Sequence, residues 1–221
     1  MLSVVIPTLN EEDGIAAAIE SAFAGGASEV IVADGGSVDR TARFATSAGA
    51  RVLLAEPMRS RQLNQGARSA LNDALIFLHA DTLLPRGAAQ AVEDVLAHGA
   101  DFGGFRLAFA EPARKLRLAA ALINLRTAIT RCPWGDQAQF IRRGTFLQLG
   151  GFREIPLMED YDFAIRMKRA GRSILLPLTV TTSGRRFLRK GVLRTAAANW
   201  RTVIRFRTGA DIDELAASYR R

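Results

Sequence analysis

The chain carries one cysteine, Cys132, which excludes an intramolecular disulfide and leaves the redox compartment open. No stretch approaches the roughly 20 apolar residues that a membrane-spanning helix needs. The longest candidate, LRLAAALINLRTAIT, is broken by arginines. The first residues, MLSVVIPTLNEEDG, have no basic n-region and reach a proline and acids too early for a signal peptide, so a cytoplasmic location is the expectation. Glycine is missing from the loop after the first apolar run, PTLNEE, until Gly14. That excludes the glycine-rich turn of a dehydrogenase-type dinucleotide site, and a Walker loop is absent as well. From Arg185 to Arg207 there is no acid at all.

What remains is the material of a globular enzyme-sized unit. A chain of 221 residues, 48% hydrophobic and 24% charged, has room for one good-sized core or at most two small domains. The net charge of +8 admits nucleic acid, anionic lipid or a phosphorylated small molecule as partner. Its distribution is uneven, because the first third mixes acids with bases while the excess sits in the C-terminal segment.

Short β-branched runs alternate with segments of helical period. LSVVIP (2–7), SEVIVAD (28–34), RVLLAE (51–56) and ALIFLHA (74–80) read as strands. Between them, 12–26, 37–49 (with Ser37 as N-cap) and 60–72 read as helices. This alternation predicts an α/β fold of right-handed βαβ units, a mostly parallel sheet flanked by helices. Strands that are continuously apolar fit a sheet covered on both faces. After residue 85 the pattern loosens. A helix (PRGAAQAVEDVLAHG) precedes ADFGGFRLAFA, an edge or bent strand whose glycine pair marks close backbone approach. A long helix near 113–130, a loop at CPWGD, a strand AQFIRR, a short helix GTFLQLG and a helix over 159–171 complete this half. No repeat or linker divides the chain. The expectation is one domain with a nucleotide-binding half (1–84), a mixed acceptor and catalytic half (85–183) and a basic helical segment (184–221).

Ligands of open parallel sheets bind beyond the carboxyl ends of the strands. Here those ends read PTLNEE, ADGGS and HADT, which would bring carboxylate and amide groups into one crevice. Asp34 can accept hydrogen bonds from a ribose or a base edge, and Gly35 and Gly36 let the chain turn there. Asp81 suits a hard divalent ion, Mg2+ or Mn2+, held mainly through substrate phosphates and water. Strand alternation would put His79 on the same side. A phosphate-backbone binder would not carry acids at three strand ends, so nucleic acid is not expected.

The segments IPTLNEE, ADGGSVDRT, RSRQLNQGA, FLHADT and MEDYDF occur in an order and spacing that resemble family 2 glycosyltransferases, inverting enzymes of the GT-A fold, over about residues 2–175. The chain looks most like the small, soluble, stand-alone bacterial members. By that resemblance, Pro7, Thr8, Asn10, Glu11 and Asp34 surround the base and ribose of a nucleotide-sugar, with UDP as the expected nucleotide. Arg61, Asn64 and Gly66 face it from a helix start, whereas Arg59 and Arg68 read as a polar helix N-terminus. HAD replaces the family's Asp-x-Asp motif, so Asp81 is the implied metal ligand and His79 stands where the first aspartate would be. MEDYDF supplies the base that deprotonates the acceptor hydroxyl, assigned to Asp160, with Glu159 assisting. Trp134, Gly135 and Asp136 offer a flat face, close backbone approach and a carboxylate to an acceptor, with the long helix before them as a wall. Arg185 and Arg186 could clamp the diphosphate. RTAAANWRTVIRFR suits an interfacial helix on anionic lipid or an oligomer contact. The competing readings are a nucleotide-sugar binder without turnover, a basic protein binding anionic surfaces or nucleic acid, and a nucleotidyl transferase, against which the lack of a glycine-rich, lysine-containing first loop argues.

Overall fold

The apolar runs at the start of the chain become strands covered on both faces, in a computed structural model that describes residues 1–220. Residue 221, the last of the expected basic segment, lies outside the described residues. Strands β1 (Leu2–Thr8), β2 (Glu29–Asp34), β3 (Arg51–Leu54) and β4 (Ala74–Phe77) are parallel neighbours in the order β3-β2-β1-β4. Successive side chains alternate between two cores. Val4, Ile6, Val30 and Val32 go to one face, with Ile15, Ile19, Val92 and Leu96. Val5 and Ile31 go to the other, with Leu63, Phe77 and a group of phenylalanines.

The first face is covered by α1 (Ile15–Ala24), α2 (Thr41–Ser47) and α4 (Ala88–Ala97), and the second by α3 (Arg59–Ser69). Gly66 on α3 lets the helix settle on β1, since a Cβ there would collide with Val5 Cγ1. Several boundaries differ from the sequence expectation, and two of them have a visible cause. The helix expected from Ser37 begins at Thr41, because the Asp34 carboxylate captures both the N–H and the hydroxyl of Ser37, and Asp39 accepts the Thr41 N–H instead. The strand expected to run to Ala80 ends at Phe77. The chain then turns, with the Thr82 N–H on the His79 carbonyl, into the short β5 (Thr82–Leu83).

The second half extends the same sheet with mixed polarity: β6 (Phe102–Phe109), β7 (Phe140–Arg142) and β8 (Ser173–Thr182) continue it in the order β4-β7-β6-β8-β5. β7 is antiparallel to β4 and β6, whereas β6 and β8 are parallel. No element was expected over 173–182. Its Pro177 falls at the register shift beside Phe105 and Arg106, a bulge where no ladder hydrogen bond is required. β6 is both internal and bent. Past Gly103 it leaves β7, and side-chain amides satisfy the freed edge: Asn124 bonds both backbone groups of Leu107, and Gln137 donates to the Phe105 carbonyl.

Helices α5 (Arg114–Thr130), α6 (Arg143–Gln148), α7 (Glu159–Ala170), α8 (Arg185–Lys190), α9 (Val192–Arg207) and α10 (Ile212–Arg220) complete the chain. The second core is built on phenylalanine. Phe152 lies 4.9 Å from Phe77 and 4.8 Å from Phe163, centroid to centroid, which locks α7 to the end of β4.

Candidate active site

Four segments far apart in sequence meet beyond the ends of β1 and β4. The first turn of α3 brings Arg59, the chain after β4 brings His79, the turn at 133–137 brings Gly135 and Asp136, and the first turn of α7 brings Glu159 and Asp160. Arg59 Nε stands 3.2 Å from the buried Glu159 Oε1, and its Nη2 meets His79 Nε2. The Gly135 N–H donates to Asp160 Oδ2 at 2.6 Å, and the Tyr161 N–H to Asp160 Oδ1 at 2.7 Å. A Cβ on Gly135 would meet Arg59 Nη2 at 2.7 Å, Asp160 Oδ2 at 2.9 Å and His79 Nε2 at 3.0 Å. Gly135 is therefore packed closely against a cation, a carboxylate and an imidazole, and a larger residue would push them apart.

Buried amides hold this arrangement. Gln139 Nε2 donates to the carbonyls of Pro133 and Asp160, fastening the turn to α7. Gln137 Oε1 accepts from Thr127 and Arg126 of α5. Gln62 Nε2 on α3 bridges the carbonyls of Thr8 and Ala33 at the ends of β1 and β2. Asp160 is thus anchored by two backbone N–H groups and stays partly exposed, with a lone pair free on each oxygen.

Burial sets the electrostatics. It pushes the Glu159 carboxyl up, against the pull of Arg59 and with the repulsion of Asp160. Burial and then the Arg59 charge hold His79 well below the usual histidine range, so its imidazole is neutral. Asp136 is pushed up to about 6 by burial, which outweighs the attraction of Arg126. The Arg126 guanidinium stacks 3.7 Å from the Trp134 ring centre. Asp136 Oδ1 and Arg126 Nε are both enclosed and have no hydrogen-bond partner. A bound polar group could satisfy both atoms, which makes this a candidate contact beside the partly exposed Asp160.

The donor-side candidates divide. Asp81 Oδ1 accepts only long bonds from Thr82 and Thr182, at 3.3 and 3.5 Å. Gly14 allows α1 to press against this strand end, since a Cβ there would meet the Ala80 carbonyl oxygen at 2.8 Å. Glu11 is raised by burial and next by the Asp81 charge, and is lowered by Arg185, so these three groups share one neighbourhood. Among the described residues no three His, Cys, Asp or Glu side chains converge as a metal cage. A divalent ion shared with a diphosphate needs only one or two carboxylates, and Asp81 with Glu11 near it fits that requirement. His79 does not point with Asp81: the alternation that would align them requires a strand through Ala80, whereas β4 ends at Phe77.

Other candidates are committed to the loops. Asp34 accepts from Thr8 and Ser37 hydroxyls and from the N–H groups of Gly36 and Ser37. Asn10, with φ of 57°, ties its loop to Ser37 and Val38, and Pro7 precedes it within β1. Asn64 spends both ends of its amide on the Phe152 backbone. Arg61 is turned away and pairs with Glu56 and Glu154 on the flank of α3. Arg186 lies 4.2 Å from the Tyr219 ring centre, apart from Arg185. Sequence reasoning passed over Arg59, Arg126 and the three glutamines. Helical phase could have found Arg59, which lies four residues before the buried Leu63.

The raised Asp136 carboxyl has a consequence for stability. The folded state binds its proton more tightly than the unfolded state, so its stabilising contribution is complete below about pH 4 and is lost as pH rises through about 6. Asp136→Asn should be more stable than the parent at pH 7.5 by about 1–3 kcal/mol, with the gap closing below about pH 4 in urea titrations. A gap that does not change with pH would contradict this electrostatic picture.

The profile of glycosyl transferase family 2 matches residues 3–194. No curated protein matches the chain. Among solved structures, residues 1–349 of S. aureus TarS align with a TM-score of 0.65 over 83% of this chain at 16% identity, and this chain spans 60% of that one and 36% of a longer TarS chain. The same S. aureus protein in complex with UDP-GlcNAc aligns with a TM-score of 0.65 at 14% identity, covering 82% of this chain and 58% of that one. Glucosyl-3-phosphoglycerate synthase from Mycobacterium tuberculosis, in complex with Mn2+, UDP and phosphoglyceric acid, aligns with a TM-score of 0.60 at 21% identity, covering 96% of this chain and 79% of that one. These likenesses identify the GT-A fold, and with the profile spanning most of its length the chain belongs to glycosyl transferase family 2.

Proposed function

We propose that the chain transfers a sugar, with inversion, from a UDP-linked donor to an acceptor hydroxyl, with Asp160 as general base. The carrying observation is the convergence of Arg59, His79 and a partly exposed, backbone-anchored Asp160 on Gly135. Asp160 receives the acceptor's proton as the acceptor oxygen forms its bond to the anomeric carbon. The bond from that carbon to the diphosphate breaks, and the electron pair leaves with the nucleotide. Backbone anchoring fixes the carboxylate without filling it, so it is oriented before the substrate arrives. Glu159, neutralised by Arg59, positions Asp160 from behind rather than touching substrate.

On the donor side, Asp81 with Glu11 nearby would hold a divalent ion, Mn2+ or Mg2+, whose chemistry is to neutralise charge on the leaving diphosphate. Arg185 adds a cation from the start of α8, while Arg186 contributes through Tyr219 packing. Pro7, Thr8, Asn10, Glu11 and Asp34 form the knitted loops against which base and ribose would lie, and Arg61, Asn64 and Gly66 support α3 beside them. Trp134 and Asp136, with Arg126, would meet the acceptor. The UDP-GlcNAc bound by S. aureus TarS and the UDP and Mn2+ bound by the Mycobacterium tuberculosis enzyme support this donor class and the metal.

Asp160→Asn should lower transfer by about 10²–10⁴-fold while donor affinity stays within about twofold; equal loss of both would remove the base assignment. Asp81→Ala should abolish the tightening of UDP binding by Mn2+ in calorimetry, and an unchanged metal dependence would refute Asp81 as ligand.

A further inference from the structure

Two neighbouring helices leave apolar rows uncovered. On α5, Leu118, Leu122, Leu125 and Ile129 recur at intervals of four, three and four residues, and are 64%, 58%, 56% and 73% exposed. On α9, Leu193, Trp200 and Ile204 repeat the pattern at 86%, 52% and 57% exposure. The two helices pack against each other. Rows of this kind on adjoining helices exceed the scattered apolar residues of an ordinary surface.

Charge identifies what covers them. Residues 112–135 and 185–207 contain no acid. Arg114, Lys115, Arg117 and Arg131 are exposed at the ends of the α5 row, and Arg194 and Arg201 beside the α9 row. A second copy docked on this face would set cations against cations. An anionic bilayer instead neutralises them while its acyl boundary takes the leucines, and the amphipathic Trp200 ring suits the level of the headgroups. We propose that α5 and α9 form a membrane-surface docking face selective for anionic lipid. Neither helix is long and apolar enough to cross a membrane. The proposal is independent of the transfer reaction, since the rows lie on the outward faces of their helices, whereas Arg126 and Thr127 on α5 face the site.

The test is co-sedimentation of the full chain with phosphatidylcholine vesicles and with vesicles containing about one third phosphatidylglycerol. Binding should appear only with the anionic vesicles, and vesicle addition should shift Trp emission to the blue in the parent but not in Trp200→Phe. Leu122→Glu, a change at an exposed position that leaves the core intact, should weaken partitioning by about tenfold or more, and Arg194→Gln or Arg201→Gln by about fivefold each. Absence of binding to anionic vesicles would overturn the proposal. So would binding that Leu122→Glu leaves unchanged, which marks adsorption by charge alone, or self-association in ultracentrifugation that Leu122→Glu abolishes, which assigns the face to a second copy.

Discussion

The Arg59 guanidinium is the joint of this site. It stands on the first turn of α3, faces Glu159 of α7 on one side, and meets His79 beyond β4 on the other. Without it, a buried carboxylate next to Asp160 would have no countercharge, and two acids would compete at one helix start. Its Nε makes no aligned hydrogen bond despite its closeness to Glu159, so part of its donor capacity is unspent. The cation thus joins α3, from the first half of the chain, to α7, from the second.

Around this joint the fold uses side-chain amides where backbone pairing stops. Gln62 fastens α3 to the ends of β1 and β2, Gln139 fastens the Pro133 turn to α7, and Asn124 with Gln137 closes the edge where β6 leaves β7. Each bonds backbone groups that would otherwise be buried and unpaired. The stiffness they lend lets Gly135 and Asp160 stay in register across 25 residues of sequence. The Phe77, Phe152 and Phe163 rings beneath give the arrangement a floor that does not yield.

Much of the scaffold was legible because apolar runs of strand length, punctuated by helical periods, leave few alternatives for β1 to β4 and α1 to α4. β8 was not, because Pro177 interrupts its pattern and only the bulge opposite Phe105 and Arg106 makes the proline harmless. The acidic ends of the strands were readable by the crevice rule, yet their partners were not. Extending β4 to Ala80 made His79 and Asp81 appear to share a face, whereas the turn after Phe77 sends one to Arg59 and the other to Thr82 and Thr182. The choice between Arg59 and Arg61 depended on helix phase. Leu63, Gly66 and Ala67 set which side of α3 is buried, and this turns Arg59 inward and leaves Arg61 to Glu56 and Glu154. Arg126 had no local signal, since its role arises from Trp134 and Asp136 across a loop.

A double-mutant cycle on Arg59→Gln and Glu159→Gln, followed by urea denaturation at neutral pH, measures the joint itself. Each single change is expected to destabilise, and the pair together to cost less than the sum, with a coupling of about 1–3 kcal/mol. Additive losses would mean that the two groups stand near each other without holding the site together.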